Sequence, residues 1–126
     1  MAPYLFTDKI YKGEPIKMYG DGTSRRDYTY VEDIVQGIMG ALDKEIKYDV
    51  FNLGNSKTVM LKEFIAVIEE ELDKKADIKQ VEMPKSDVPV TYANIDKARE
   101  KLGYNPKTKI KEGMKKFIDW YKKEVA

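Results

Sequence analysis

Residues 19–33 read YGDGTSRRDYTYVED, and the change of residue types along them decides the fold. Gly20-Asp21-Gly22 marks a turn, since glycine takes positive φ without penalty and aspartate bonds its own backbone. Asp27 and Thr29 then alternate with Tyr28 and Tyr30, which is the period of a strand or extended segment. Further on, Ile34, Val35, Ile38 and Leu42 fall on one helical face. A glycine turn, an extended segment and a helix thus follow directly on one another.

The same junction concentrates arginine. The chain has twenty lysines and three arginines, and Arg25 and Arg26 are its only adjacent arginines. Lysine supplies a solvated point charge, whereas a guanidinium is a planar fork that grips phosphate or carboxylate in paired hydrogen bonds. One reading is a loop-to-strand junction that presents a guanidinium to an anion. The other is a surface turn whose arginines pair with Asp21, Asp27 or Asp33, with Arg25 structural. Those aspartates fall on a turn, a strand and a helix start. Solvation, strand support and helix-dipole complementarity account for them better than a shared metal ion.

Outward from this stretch, helices and strands alternate. Residues 2–13 carry Leu5, Phe6, Ile10 and Tyr11 at helical spacing before Gly13, and EPIKMYG (14–20) is a short strand. Gly37 and Gly40 weaken the helix that contains them, so they are expected to permit close packing. YDVFNLG (48–54) reads as a buried strand running into the Asn52–Asn55 turn. Leu61, Phe64, Ile65, Ile68 and Leu72 form an amphipathic stripe, with Glu69–Glu71 facing Lys74 and Lys75 on its solvated side. DIKQVEM (77–83) is a further strand. A short helix follows, with Asn94 as its N-cap, Ile95, Ala98 and Leu102 inward, and Gly103 at its end. A last helix buries Ile110, Met114, Phe117, Ile118 and Tyr121. The class is α/β, with small mixed sheets and about five helices, and residues 1–126 read as one domain.

Composition narrows the chemistry. With no cysteine and no histidine, disulfides, thiolate catalysis and the commonest base and metal ligand are excluded. No metal site is expected. A net charge of +1 gives no field that would make nucleic acid or an anionic membrane the main partner. No apolar run approaches membrane-spanning length and residues 1–12 do not look like a signal peptide, so the expected location is cytoplasmic.

Residues 1–38, 50–65 and 87–121 resemble the carboxyl-terminal part of extended short-chain dehydrogenase/reductase enzymes. They look most like the nucleotide-sugar 4-epimerases, and SRRDYTYVEDIV favours UDP-glucuronate 4-epimerase over UDP-glucose 4-epimerase. The dTDP-glucose dehydratases are more distant. The resemblance implies the substrate-binding domain of such an enzyme. Family members bind NAD on an amino-terminal Rossmann domain with a glycine-rich turn, and use a Tyr-x-x-x-Lys pair for catalysis. Here only Gly37-x-x-Gly40 matches part of such a turn, inside a helix, and none of the nine tyrosines has a lysine four residues on. No catalytic residue and no bound NAD are therefore expected in this chain.

The resemblance also implies roles for particular residues. Arg26 matches the arginine that binds the substrate pyrophosphate, and Tyr28 lines the nucleotide pocket. Lys17 and Tyr19 match positions whose main chain bonds uracil. Asp87 contacts ribose or steadies the phosphate-binding side chains, against the plainer role of capping a turn. Where the family commonly has Arg or Gln three residues before this acid, the chain has Pro84, then Lys85 and Ser86; Lys85 could replace part of a lost phosphate contact. The implied function is a UDP-sugar-binding domain or fragment of an NAD-dependent 4-epimerase, inactive alone. The missing Rossmann domain would act in cis or trans. The alternatives are an interaction module that self-associates, a fragment of a dTDP-glucose 4,6-dehydratase-like or other extended enzyme, and a standalone enzyme without NAD, for which no nucleophile–base pair is visible. Self-association is expected through residues 1–11, by repacking Tyr4 and Phe6.

Overall fold

Four elements with strongly patterned sequences close the larger core. The computed structural model describes residues 2–126. Helix α1 (Ala2–Lys12) buries Phe6 and Ile10 and ends at Gly13, whose φ of +73° suits glycine. Strand β1 (Pro15–Tyr19) follows, its Ile16 and Met18 buried and its alternate residues exposed. Helix α3 (Leu61–Leu72) contributes Phe64, Ile65, Ile68 and Leu72; helix α5 (Ile110–Glu124) contributes Met114 and Ile118. Tyr121 is also buried, and its hydroxyl donates to Asp8 at 2.6 Å. That bond, then Lys12, holds the Asp8 carboxyl below the usual carboxylate range. Strand β4 (Asp77–Val81) pairs parallel with β1, from Pro15 opposite Asp77 to Tyr19 opposite Val81.

Helix α1 packs on the chain's own larger core. Phe6 lies in this chain's own core, and Tyr4 meets Tyr121 edge-on at 5.9 Å. The acidic run on α3 is solvated as expected, with different partners. Glu70 pairs with Lys111 at 2.8 Å, Glu69 accepts the Ala76 N–H, and Lys74 donates to the Tyr11 carbonyl.

A second, smaller cluster joins Ile95, Ala98, Leu102 and Tyr104 to Ala41, Phe51, Leu53 and Ala93. Helix α4 (Asp96–Leu102) supplies its middle. The Asn94 carboxamide accepts the Asp96 N–H at 3.1 Å, and Gly103 closes the helix at φ +66°. Helix α2 (Val31–Leu42) packs here by the face opposite to the expected one. Its buried residues are Asp33 and Gly37, while Val35, Ile38 and Leu42 are exposed. The glycines explain the inversion. A Cβ on Gly37 would stand 2.8 Å from Leu53, and one on Gly40 would stand 2.8 Å from the Leu102 carbonyl oxygen. The small-residue face approaches most closely, so it is buried and the branched face is left outside.

Two strand expectations also change. Residues 48–54 run beneath α2 with Phe51 and Leu53 turned inward, but no strand pairs with them among the described residues. Of RRDYTYV, only β2 (Arg25–Arg26) enters a ladder, antiparallel to β3 (Val59–Met60), which the sequence pattern did not mark.

Candidate functional site

Main-chain pairing on both sides of Arg25 builds the site. Beyond the β2–β3 ladder, the Arg25 N–H donates to the Pro89 carbonyl and the Arg25 carbonyl accepts from Thr91, a parallel bridge to Val90. The glycine turn is tied down as well: the Gly22 carbonyl accepts from Lys62 and the Ser24 carbonyl from Leu61. Residues 87–91 are thereby brought beside β2, although Asp87 lies 61 positions along the chain from Arg26.

Arg26 and Asp87 meet there. An Arg26 terminal nitrogen donates to Asp87 Oδ1 at 2.8 Å and the other to the Arg25 carbonyl at 2.7 Å. Asp87 Oδ1 also accepts the Val88 N–H at 3.0 Å, so this carboxylate caps its turn and steadies the guanidinium together. The pair is about a third exposed on each side, which leaves the guanidinium face within reach of a solute anion. The partner of Arg26 is thus Asp87, and none of Asp21, Asp27 and Asp33. Arg25 is half-buried and donates to Thr58 Oγ1 at 3.4 Å, a structural placement. Tyr28 stacks on Phe64 at 4.3 Å between centroids; burial pushes its hydroxyl pKa up, and the charge of Arg26 opposes that shift.

Lys17 and Tyr19 lie on β1 with exposed side chains. The Gly20 N–H donates to the Val81 carbonyl, so alternation aims the main chain of Ile16 and Met18 at β4 and that of Lys17 and Tyr19 at the other edge. No strand occupies that edge among the described residues. Pro84, Lys85 and Ser86 form an exposed turn closed by the Asp87 N–H to the Pro84 carbonyl at 3.0 Å. No hydrogen bond or ion pair joins Lys17, Tyr19 or Lys85 to the Arg26–Asp87 pair among the described residues.

The aspartates beside Arg26 clamp loops. Asp27 accepts the N–H groups of Asn55, Ser56 and Ala93 at 2.9–3.1 Å, joining three segments at one carboxylate. Asp33, buried, accepts from Lys107 and Thr108. The Tyr104 hydroxyl donates to the Gly54 carbonyl at 2.7 Å; burial, then Asp33 and Asp27, push its pKa up to about 12. Asp21 caps Thr23, whose hydroxyl and N–H hold the carboxyl low. Around Asp27 lies an open cavity of about 400 Å³, lined by Thr29, Asn52–Gly54 and Thr91–Asn94. Sequence reasoning missed this clamp, because Asp27 and Asn55 lie 28 positions apart and meet only in the folded chain. Among the described residues no three carboxylates are placed to hold a metal ion, and no helix is long and apolar enough to cross a membrane.

The family model for GDP-mannose 4,6-dehydratase matches residues 4–117. The chain belongs to this family. MJ1055 of Methanocaldococcus jannaschii is 46% identical over 121 residues, covering 96% of this chain and 37% of that protein. The UDP-glucuronate 4-epimerase of Thermodesulfobacterium geofontis is 37% identical, covering 99% of this chain and 39% of that protein. The structure of MoeE5 in complex with UDP-glucuronic acid and NAD superposes with a TM-score of 0.92 at 27% identity, covering 99% of this chain and 42% of that one. The chain therefore spans about two fifths of the length of these relatives, and its fold is that of the carboxyl-terminal part of extended short-chain dehydrogenase/reductase epimerases. NAD is bound by full-length relatives.

Proposed function

We propose that residues 1–126 are the UDP-sugar-binding unit of an NAD-dependent nucleotide-sugar 4-epimerase, with cofactor and catalytic pair held on a separate portion in cis or trans. The observation that carries this reading is Arg26. Its guanidinium is anchored by Asp87 and the Arg25 carbonyl, yet stays open to a diphosphate that it would grip in two parallel bonds. The unoccupied edge of β1 supports it, since the main chain of Lys17 and Tyr19 is aimed where a base could pair. Tyr28 and Lys85 would line the nucleotide and phosphate positions. A UDP-glucuronate substrate is favoured because relatives bearing that name match nearly the whole chain.

With only part of the ligand's wall present, UDP binds weakly, at roughly millimolar concentration or about −4 kcal/mol. Arg26→Ala removes roughly 1.5–3 kcal/mol through the lost charged hydrogen bond. An NMR titration of the chain with UDP checks both. Shifts that persist unchanged in Arg26→Ala would place the nucleotide elsewhere, and tight NAD binding or epimerisation by this chain alone would contradict the division of labour.

A further inference from the structure

Strand β2 is the middle one of three short segments. β3 lies antiparallel to it on one side, and residues 89–91 bridge to it in parallel on the other. Both contacts are brief. The ladder to β3 is two residues long, and the far side is held by the Arg25 N–H on Pro89 and the Thr91 N–H on Arg25. Pairings this short are marginal in water by themselves. Asp27, the next residue after β2, ties down both neighbours at once. Its Oδ1 accepts the Asn55 N–H and its Oδ2 the Ser56 N–H, each at 2.9 Å, on the loop that leads into β3. Oδ2 also accepts the Ala93 N–H at 3.1 Å, on the segment that carries Asp87. The loop is shaped around this carboxylate. Ser56 is held at φ +59°, a left-handed backbone that residues other than glycine rarely adopt. A Cβ on Gly54 would stand 2.9 Å from Asp27 Oδ2 and 2.6 Å from the Ala93 Cβ, so glycine is what lets the two segments close on Asp27.

We infer that Asp27 is a positioning residue for the anion grip of Arg26. It acts through residues 87–93. By fixing Ala93 it fixes the bridge at Val90, and with it the point at which Asp87 meets the Arg26 guanidinium. This rests on the reading of Arg26 as the residue that binds the diphosphate, and adds to it a residue that itself touches no phosphate. The position demands a carboxylate. Three N–H donors converge on two anionic oxygens, and hydrogen bonds to a charged acceptor are the strong ones. An asparagine of the same shape keeps one carbonyl oxygen and turns an NH2 toward donors, so at least one of these amides loses its partner. A guanidinium whose anchor wanders loses the fixed fork that grips two oxygens in parallel.

NMR of the Arg26 side chain, with and without UDP, tests it. In the parent chain the Arg26 Nε–H is expected as a resolved signal away from the free-arginine position. In Asp27→Asn it is expected to move toward that position, and UDP to bind about fivefold more weakly, while the circular dichroism spectrum stays that of the folded chain. Asp33→Asn is the control, because it removes the same kind of clamp from another loop, at Lys107 and Thr108. It is expected to lower the melting temperature and to leave the Arg26 signal and UDP affinity unchanged. Ala93→lactate, which replaces a single N–H by an ester oxygen and keeps every side chain, is the second variant where Asp27→Asn does not fold, and the same change at Arg26 is expected. An Arg26 signal that neither Asp27→Asn nor Ala93→lactate moves overturns the positioning role. Equal disturbance of Arg26 by Asp33→Asn overturns it too, since Asp27 is then structural support and no more. UDP that leaves the parent spectrum unmoved sinks the diphosphate reading alone, and the Arg26 signal still decides whether Asp27 holds the guanidinium.

Discussion

The two hydrophobic clusters use the same residue types in opposite ways. Around α3, branched and aromatic side chains turn inward, and Phe64 and Ile68 are fully buried. Around α4, the neighbouring helix α2 turns glycine inward and leaves Ile38 48% exposed. Amphipathic spacing is a rule about finding an apolar partner. Where the larger core supplies that partner within the chain, the stripe points to it. Where close backbone approach through Gly37 and Gly40 decides the packing, the stripe is left exposed.

The sharpest break in this comparison comes from truncating one apolar residue on each side. Phe64→Ala is expected to destabilise by about 3–5 kcal/mol, since it empties a packed site. Ile38→Ala is expected to change stability by less than about 0.5 kcal/mol. Chemical denaturation of both variants checks the contrast, and equal losses would mean that α2 is an ordinary core helix.

Next in size is Gly40→Ala. The added methyl meets the Leu102 carbonyl oxygen, which belongs to the backbone and cannot swing aside, so a loss of about 1–3 kcal/mol is expected despite alanine's better helix propensity. Gly113→Ala is its control, because there the nearest atom stands at 3.4 Å and belongs to a side chain. Thermal melts of the two variants should separate clearly.

The smallest effect concerns Tyr104→Phe, which removes a buried hydrogen bond to Gly54 and costs about 1 kcal/mol. Its pH dependence sharpens the test. A pKa raised to about 12 in the folded chain means the folded state holds the phenol proton more tightly than the unfolded one, with its value near 10. The stabilisation is complete below about pH 10 and is lost as pH rises through about 12. The difference in denaturation midpoint between the parent chain and Tyr104→Phe should therefore shrink above pH 10.

The site divides along similar lines. Arg26 stood out because arginine is scarce and its fork suits an anion, and Asp87 was legible as a turn cap with a possible ligand role. Their pairing was not legible, because it depends on the bridge from Arg25 to Val90, which joins residues far apart in the chain. Asp27 read as strand support, yet it binds three loop amides contributed by two other segments.

From sequence alone came the five helices, the α3 and α5 stripes, the caps at Gly13 and Gly103, the close-packing role of Gly37 and Gly40, and the family. All of these are local patterns, or patterns of residue order. Tertiary structure decided which face of α2 is buried, that residues 48–54 stay unpaired, and that Arg26 meets Asp87. Each depends on what a segment finds across space: a backbone close enough to exclude Cβ, a sheet edge with or without a neighbour, a carboxylate delivered by a distant turn. Periodicity states that a face is apolar, and only packing states what lies against it.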